Sequence, residues 1–186
     1  MFIRFFGVLT LFLCLSQTAF AQSIVMSDGS ALLCYHSVKH GDPGRLSTKK
    51  TCKQALRDFD TSPKDKAATH VNLGILQMRS GKYIKAQNSF DKAISMSPNL
   101  PEAYINISAV LIYTGQHHAA IKSVERAIEL GTKKMPEALY NRAMAYDNLE
   151  NYTKAYADLK QALVLRPNWA PALKAIDNYE ITPTPS

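Results

Sequence analysis

The sequence predicts an all-α chain: an α-solenoid of three helix-turn-helix hairpins, preceded by a short helical cap and followed by one capping helix. Three observations predict it. A unit of about 34 residues is written three times between Ala67 and Trp169, a period that marks stacked repeats rather than a fold closed around one pocket. Small residues recur in columns at that period, Ala86, Ala120 and Ala155 in one and Ala93, Ala127 and Ala162 in another, with Asn72, Asn106 and Asn141 near the start of each copy. Breakers fall between the apolar stripes: Gly81 and Gly115 inside copies, Pro98 and Pro167 at the close of the first and third.

The chain has 186 residues, the size of one domain. Its first 21 read as a secretory signal peptide. Arg4 precedes the apolar run from Phe5 to Leu15, and Ala19-Phe20-Ala21 places small residues around a larger one at a cleavage site after Ala21. The run is short for a bilayer span, and Cys14 lacks the small neighbour of a lipoprotein-type cleavage. The expected address is therefore export, to the bacterial periplasm, with a mature chain starting at Gln22 and no integral span after cleavage. Retention of the leader as an uncleaved anchor is the alternative. Loss of Arg4 lowers the net charge from +7 to +6. The lysines are scattered, apart from the pairs Lys49-Lys50 and Lys133-Lys134, so the charge reads as a solvated surface and not as a nucleic-acid stripe.

Residues 22–62 are expected to form the cap, with helices from Ala31 to Lys39 and Thr48 to Phe59 joined through Gly41-Asp42-Pro43-Gly44. Cys34 and Cys52 survive cleavage, and an even count in an oxidising compartment reads as a disulfide. Closing that loop contributes on the order of 3 kcal/mol by the chain-entropy account. His36 and His40 near Cys34 offer a competing metal reading, but Cys-x-His-x3-His with one distant Cys is no recognised zinc spacing. Free thiols are the third possibility.

Residues 63–181 are the repeat domain, with copies over about 67–100, 101–135 and 136–169. In the first copy His70, Leu73, Gly74 and Gln77 follow the spacing of one helical stripe, and Gly81 breaks the helix. Tyr83, Ala86, Phe90 and Ala93 form the next stripe, ended by Ser97-Pro98. In the second copy Tyr104, Ile107, Ser108 and Leu111 precede Gly115, then Ala120, Val124 and Ala127; Gly131-Thr132-Lys133-Lys134 closes it, one residue longer. The third has Leu139, Arg142, Ala143 and Tyr146, then Tyr152, Ala155, Leu159 and Ala162. Arg142 departs from the apolar column and is expected to pack its stem and send its head to water. Glu150 stands where the other copies have glycine, with Asn151 beside it expected to accept the bend. Residues 171–179 read as the capping helix, and 182–186 as loop or disorder.

These residues resemble the tetratricopeptide repeat (TPR) family, whose pattern sets an aromatic, Leu-Gly and an aromatic on the first helix, then Ala and an aromatic on the second, with Pro at the close. The first copy carries Leu73-Gly74, Ala86, Phe90, Ala93 and Pro98, with His70 and Gln77 in the two aromatic places. The resemblance implies a protein-binding scaffold whose first helices line a concave face. On this chain that face comprises Val71, Asn72, Ile75 and Met78; Ile105, Asn106, Ala109 and Ile112; Tyr140, Asn141, Met144 and Asp147. The three asparagines would hold a peptide main chain, or simply hydrogen-bond a neighbouring helix. TPR domains that grip a terminal carboxylate use Lys and Asn at places where this chain has Val71, Ile75, Ile105, Ala109, Tyr140 and Met144, so that role is excluded.

No G-x-S-x-G, Walker loop or H-E-x-x-H is present, and no nucleophile has a base at sensible spacing, so the expectation is a non-enzyme with no cofactor and no metal. His117-His118, Asp58 and Asp60 read as structural residues. The partner expected is another protein or peptide segment, bound in the cell envelope; self-association through the Tyr-rich third copy is a further possibility. The alternative function is a redox- or metal-responsive module using Cys34, Cys52 and the nearby histidines.

Overall fold

In the computed structural model, residues 2–3 and 29–181 are described. Nine helices run through them: α1 (Ser30–Lys39), α2 (Leu46–Ala55), α3 (Pro63–Arg79), α4 (Tyr83–Met96), α5 (Pro101–Tyr113), α6 (His117–Glu129), α7 (Met135–Asn148), α8 (Tyr152–Leu165) and α9 (Ala170–Ile176). A two-residue antiparallel pair, β1 (Phe2–Ile3) with β2 (Glu180–Ile181), accompanies them. The rest of the expected leader, residues 22–28 and the tail over 182–186 lie outside the described residues.

Local chemistry sets the helix ends. Ser62 opens α3 by accepting from the Asp65 amide (3.1 Å), with Pro63 at the first helical position, where its missing N–H costs nothing. Proline likewise stands in the first turn of α5, α7 and α9. The turn inside each hairpin is the same. Lys82 N donates to Gln77 O (2.8 Å), Gln116 N to Leu111 O (2.8 Å) and Asn151 N to Tyr146 O (2.9 Å), and in each case the residue before the donor has positive φ. In the third copy that residue is Glu150 at φ 58°, so the bend falls on Glu150 itself and not on Asn151. Asn151 caps α8 instead, its Oδ1 accepting from Lys154 N.

Each second helix packs back on its own first helix, and each first helix packs on the first helix of the next hairpin, α3 on α5 and α5 on α7. α1 and α2 obey the same rule: they pack on each other and both pack on α3. The N-terminal cap is thus a short hairpin in register with the array. Its second helix starts at Leu46 and stops at Ala55, earlier than the expected Thr48 to Phe59. Leu56 and Arg57 turn out of it; Leu56 still packs against the core, but Phe59 is fully exposed, so the apolar stripe does not run on to Phe59. The capping helix is also shorter than 171–179, ending at Ile176.

Cys34 and Cys52 are fully buried and joined, S–S 2.12 Å, within a core cluster that includes Val38, Val71, Ile75 and Phe90. The turn between α1 and α2 is locked separately. Asp42 Oδ1 accepts from Gly44 N (2.7 Å) and Arg45 N (2.8 Å), and Oδ2 accepts from Thr48 Oγ1 (2.8 Å). Burial alone would raise the Asp42 pKa; those hydrogen bonds outweigh it and hold the carboxyl below its ordinary value. Arg79, at the end of α3, donates through Nη1 to Val38 O and Asp42 O, tying the cap to the first repeat.

Gly74 shows how closely the hairpins shut. A Cβ at that position would overlap the ring of Phe90, which is fully buried. Gly74→Ala should therefore lose about 1–3 kcal/mol of stability by overpacking, against a helix-propensity gain of about 1 kcal/mol. Urea unfolding checks this; an unchanged or raised midpoint would mean that the ring can yield.

Candidate protein-interaction face

Consecutive first helices bring the expected face together, but they bury it. Val71, Asn72, Ile75, Ile105, Asn106, Ala109 and Asn141 have 0% exposure and Tyr140 has 5%; Met144 is partly buried. Val71, Ile75 and Ala109 belong to one core cluster that extends from Val38 of α1 to Ala145 of α7. Ile105 packs with Val124, Ala127 and Ala138, between α5, α6 and α7. Tyr140 sits against Trp169, ring centroids 5.2 Å apart, and clusters with Ala172 and Ala175 of α9. In the chain as folded these positions are interior and present no open apolar groove. The reason is size and polarity. Aliphatic side chains at these places gain by closing against neighbouring helices, where charged ones would hold a cleft open.

The three asparagines have three different environments. Asn141 Nδ2 donates to Ile105 O and to Ser108 Oγ, both at 3.1 Å, so it joins α7 to α5. Asn106 Nδ2 donates to Glu102 O one turn back, at 2.7 Å. Asn72 is fully buried, and neither its amide oxygen nor its nitrogen has a hydrogen-bond partner. A buried amide without partners is costly, and such groups in a folded protein call for an explanation.

Charged and aromatic residues consolidate the C-terminal end. Arg142 does not send its head to water: Nε and Nη2 each reach the Asp158 carboxylate at 2.7 Å, a two-pronged pair with Asp158 buried. Donating these hydrogen bonds to Asp158 raises the Arg142 pKa. The column carries a polar residue because its partner across the hairpin is an acid. Glu137 accepts from Arg166 (2.9 Å), and Asp147 accepts from the Tyr179 hydroxyl (2.7 Å). Tyr152 and Tyr156 meet the Tyr179 ring edge-on. The aromatic residues that a self-stacking third copy would use are engaged within the chain. The sequence marks Trp169 and Tyr179 only as the ends of the third copy and of the capping helix, because their contacts fall outside the repeat columns.

The His36 and His40 rings lie 6.0 Å apart and tilted at the end of α1, with His40 Nδ1 bonded to His36 O (2.7 Å). Among the described residues no three His, Cys, Asp or Glu side chains are grouped to hold a metal. With both sulfurs fully buried and bonded, a redox- or metal-responsive module finds no support in this arrangement. No described helix is long and apolar enough to cross a membrane.

Profiles of the tetratricopeptide repeat match residues 67–100 and 101–130, and a further one matches 136–168. The chain belongs to the tetratricopeptide repeat family. The three matches fall on the three hairpins α3–α4, α5–α6 and α7–α8. Among curated relatives, the TPR region is 29% identical over 115 residues to Photosystem I assembly protein Ycf3 of Rippkaea orientalis (strain PCC 8801 / RF-1), a match covering 62% of this chain and 54% of the relative. It is 34% identical over 93 residues to human sperm-associated antigen 1, taking in 46% of this chain and only 10% of that protein. The chain thus spans about half the relative's length or less. Among solved structures, MamA from Desulfovibrio magneticus RS-1 superposes with a TM-score of 0.62 at 22% identity, covering 82% of this chain and 84% of that one. The second TPR domain of human RPAP3, solved with an HSP70 peptide, superposes at 0.57 and 21% identity, covering 62% and 96%. At those identities the structures establish the fold: an all-α TPR solenoid.

Within this TPR array the asparagine environments predict opposite outcomes for one substitution. Asn141→Leu removes two interhelical bonds and should cost about 1–3 kcal/mol, whereas Asn72→Leu removes an unpartnered amide and should be neutral or stabilising. Thermal and urea unfolding of the two variants decide it. Equal losses would mean that Asn72 has a partner after all.

Proposed function

We propose that this TPR protein is a non-enzymatic interaction scaffold of the cell envelope that takes a polypeptide segment on its first-helix face. The observation that carries the proposal is Asn72. It occupies the same column as Asn106 and Asn141, yet it alone has an amide with both atoms buried and unbonded. A partner main chain supplies one donor and one acceptor per residue, which is what that amide lacks. The RPAP3 domain in complex with an HSP70 peptide supports the general mode, a TPR domain holding a peptide. Val71, Ile105 and Tyr140, with Ile75, Ala109 and Met144, offer no cation for a terminal carboxylate, so the segment is recognised through its main chain and apolar side chains. Because the face is closed in the chain as folded, docking carries the cost of uncovering it, and affinity falls accordingly.

The envelope setting rests on the leader pattern over 1–21 and on the buried Cys34–Cys52 pair, a bond that persists in oxidising compartments. The chain produced in an exporting bacterium should have a mature mass starting at Gln22, two hydrogens below the reduced value. An unprocessed or fully reduced chain would remove the envelope reading. For the binding face, crosslinking in the native envelope should capture a partner with the wild-type chain and lose it with Asn72→Leu, a variant expected to fold. Undiminished capture by that variant would discard Asn72 as a contact.

A further inference from the structure

A second feature lies away from the first-helix face. A pocket of about 280 Å³ opens between α2 and α4, over α3, at the junction of the cap and the first repeat. Its lining includes Lys53 of α2, His70 and Gln77 of α3, and Lys85, Ser89 and Lys92 of α4. The α4 residues are spaced i, i+4, i+7, so one stripe of that helix faces the pocket. No carboxylate lines it, and none of the three lysines has an ion-pair partner among the described residues.

The pocket exists because the first copy departs from its siblings. Where the second copy has Tyr104 and Leu111, and the third Leu139 and Tyr146, the first has His70 and Gln77. Two smaller polar side chains replace two large ones and leave a polar floor. The matching stripe of the third copy includes Asp158, which takes Arg142; in the first copy Ser89 stands there and donates to Gln77 Oε1 (2.8 Å). With its oxygen occupied, Gln77 has its amide N–H groups left to give. His70 Nδ1 is buried without a hydrogen-bond partner. Burial first, then the charge of Lys92, pulls the His70 pKa down to about 4, so the ring is neutral at pH 7 and the pocket's charge comes from the lysines.

We infer that this pocket binds a phosphate group, either free or carried on a lipid headgroup. Three lysines line the small cavity, and their ammonium groups are point-charge donors that suit a tetrahedral oxyanion of up to two negative charges. The absence of an Arg fork from the lining argues against a planar carboxylate. A bound oxyanion would offset the effect of Lys92 on His70. The inference is independent of the peptide-binding proposal, because none of the lining residues belongs to the first-helix face.

The test uses the full chain at pH 7 and low salt. Inorganic phosphate is titrated in while the His70 imidazole resonances are followed by NMR. Expected are saturable shifts, a rise in the His70 pKa, and affinity weakened about tenfold or more in Lys85→Gln/Lys92→Gln, equivalent to about 1.4 kcal/mol. Lys160→Gln on α8 should leave affinity unchanged. Both α4 lysines are exposed, so the double variant should fold, and Lys85→Arg/Lys92→Arg should retain binding. Co-sedimentation with phosphatidylcholine vesicles, with and without phosphatidic acid, separates the two sources. Sedimentation that needs phosphatidic acid and the two lysines assigns the pocket to headgroups, while saturation by inorganic phosphate alone assigns it to the free ion. The inference is overturned if neither probe binds, or if the double glutamine variant binds both as well as the wild type does.

Discussion

The array depends on volume matching across each hairpin. In each copy a small first-helix residue stands at the same spacing before the largest fully buried side chain of the second helix: Gly74 before Phe90, Ser108 before Val124, Ala143 before Leu159. The big member of each pair is fully buried. The first pair goes furthest, since only hydrogen leaves room for the Phe90 ring. Fully burying a side chain of that class contributes about 1.5–3 kcal/mol, and the contribution is kept only while the opposing backbone stays close. The alanine columns at 86, 120 and 155 and at 93, 127 and 162 extend the close approach along each second helix.

From that constraint the rest follows. Hairpins shut tightly at their centres present a long first-helix face and must bury it on a neighbour. Val71, Ile75 and Ala109 are therefore shared between repeats, and the disulfide-joined cap supplies the neighbour that the first repeat would otherwise lack. α9, with Trp169 over Tyr140, does the same for the last. Inside this stack Asn141 bonds to Ile105 and Arg142 to Asp158, while at the cap junction, where the stack is interrupted, Asn72 and His70 keep buried atoms without partners. Both functional proposals fall at that interruption.

The repeat register was legible because period, alanine columns and breakers agreed on the same hairpins, and the structure turns at Gly81, Gly115 and Glu150, as the spacing requires. Register does not say which face a neighbour covers. The stripe of Val71, Ile75, Ile105 and Ala109 has the same spacing whether it lines a cleft or fills a core, and only tertiary contact separates the two. Arg142 was misjudged for a related reason: its partner lies 16 residues away on another helix, beyond any local pattern. Phe59 misled in the other direction, a large apolar residue in helical phase that points to water. His70 and Gln77 were visible as departures from the family pattern, but that they open a pocket rests on where α2 lies, which the sequence does not state.

If hairpins and cap share one continuous core, stability should be greatest where both neighbours are present and least at the free end. Native-state hydrogen exchange, followed helix by helix by mass spectrometry, measures that directly. α5, flanked by α3 and α7, should be the slowest to exchange, α3 and α7 intermediate, and α9 the fastest of the array. Exchange of α5 as fast as α9, or three hairpins exchanging as unlinked units, would contradict the account.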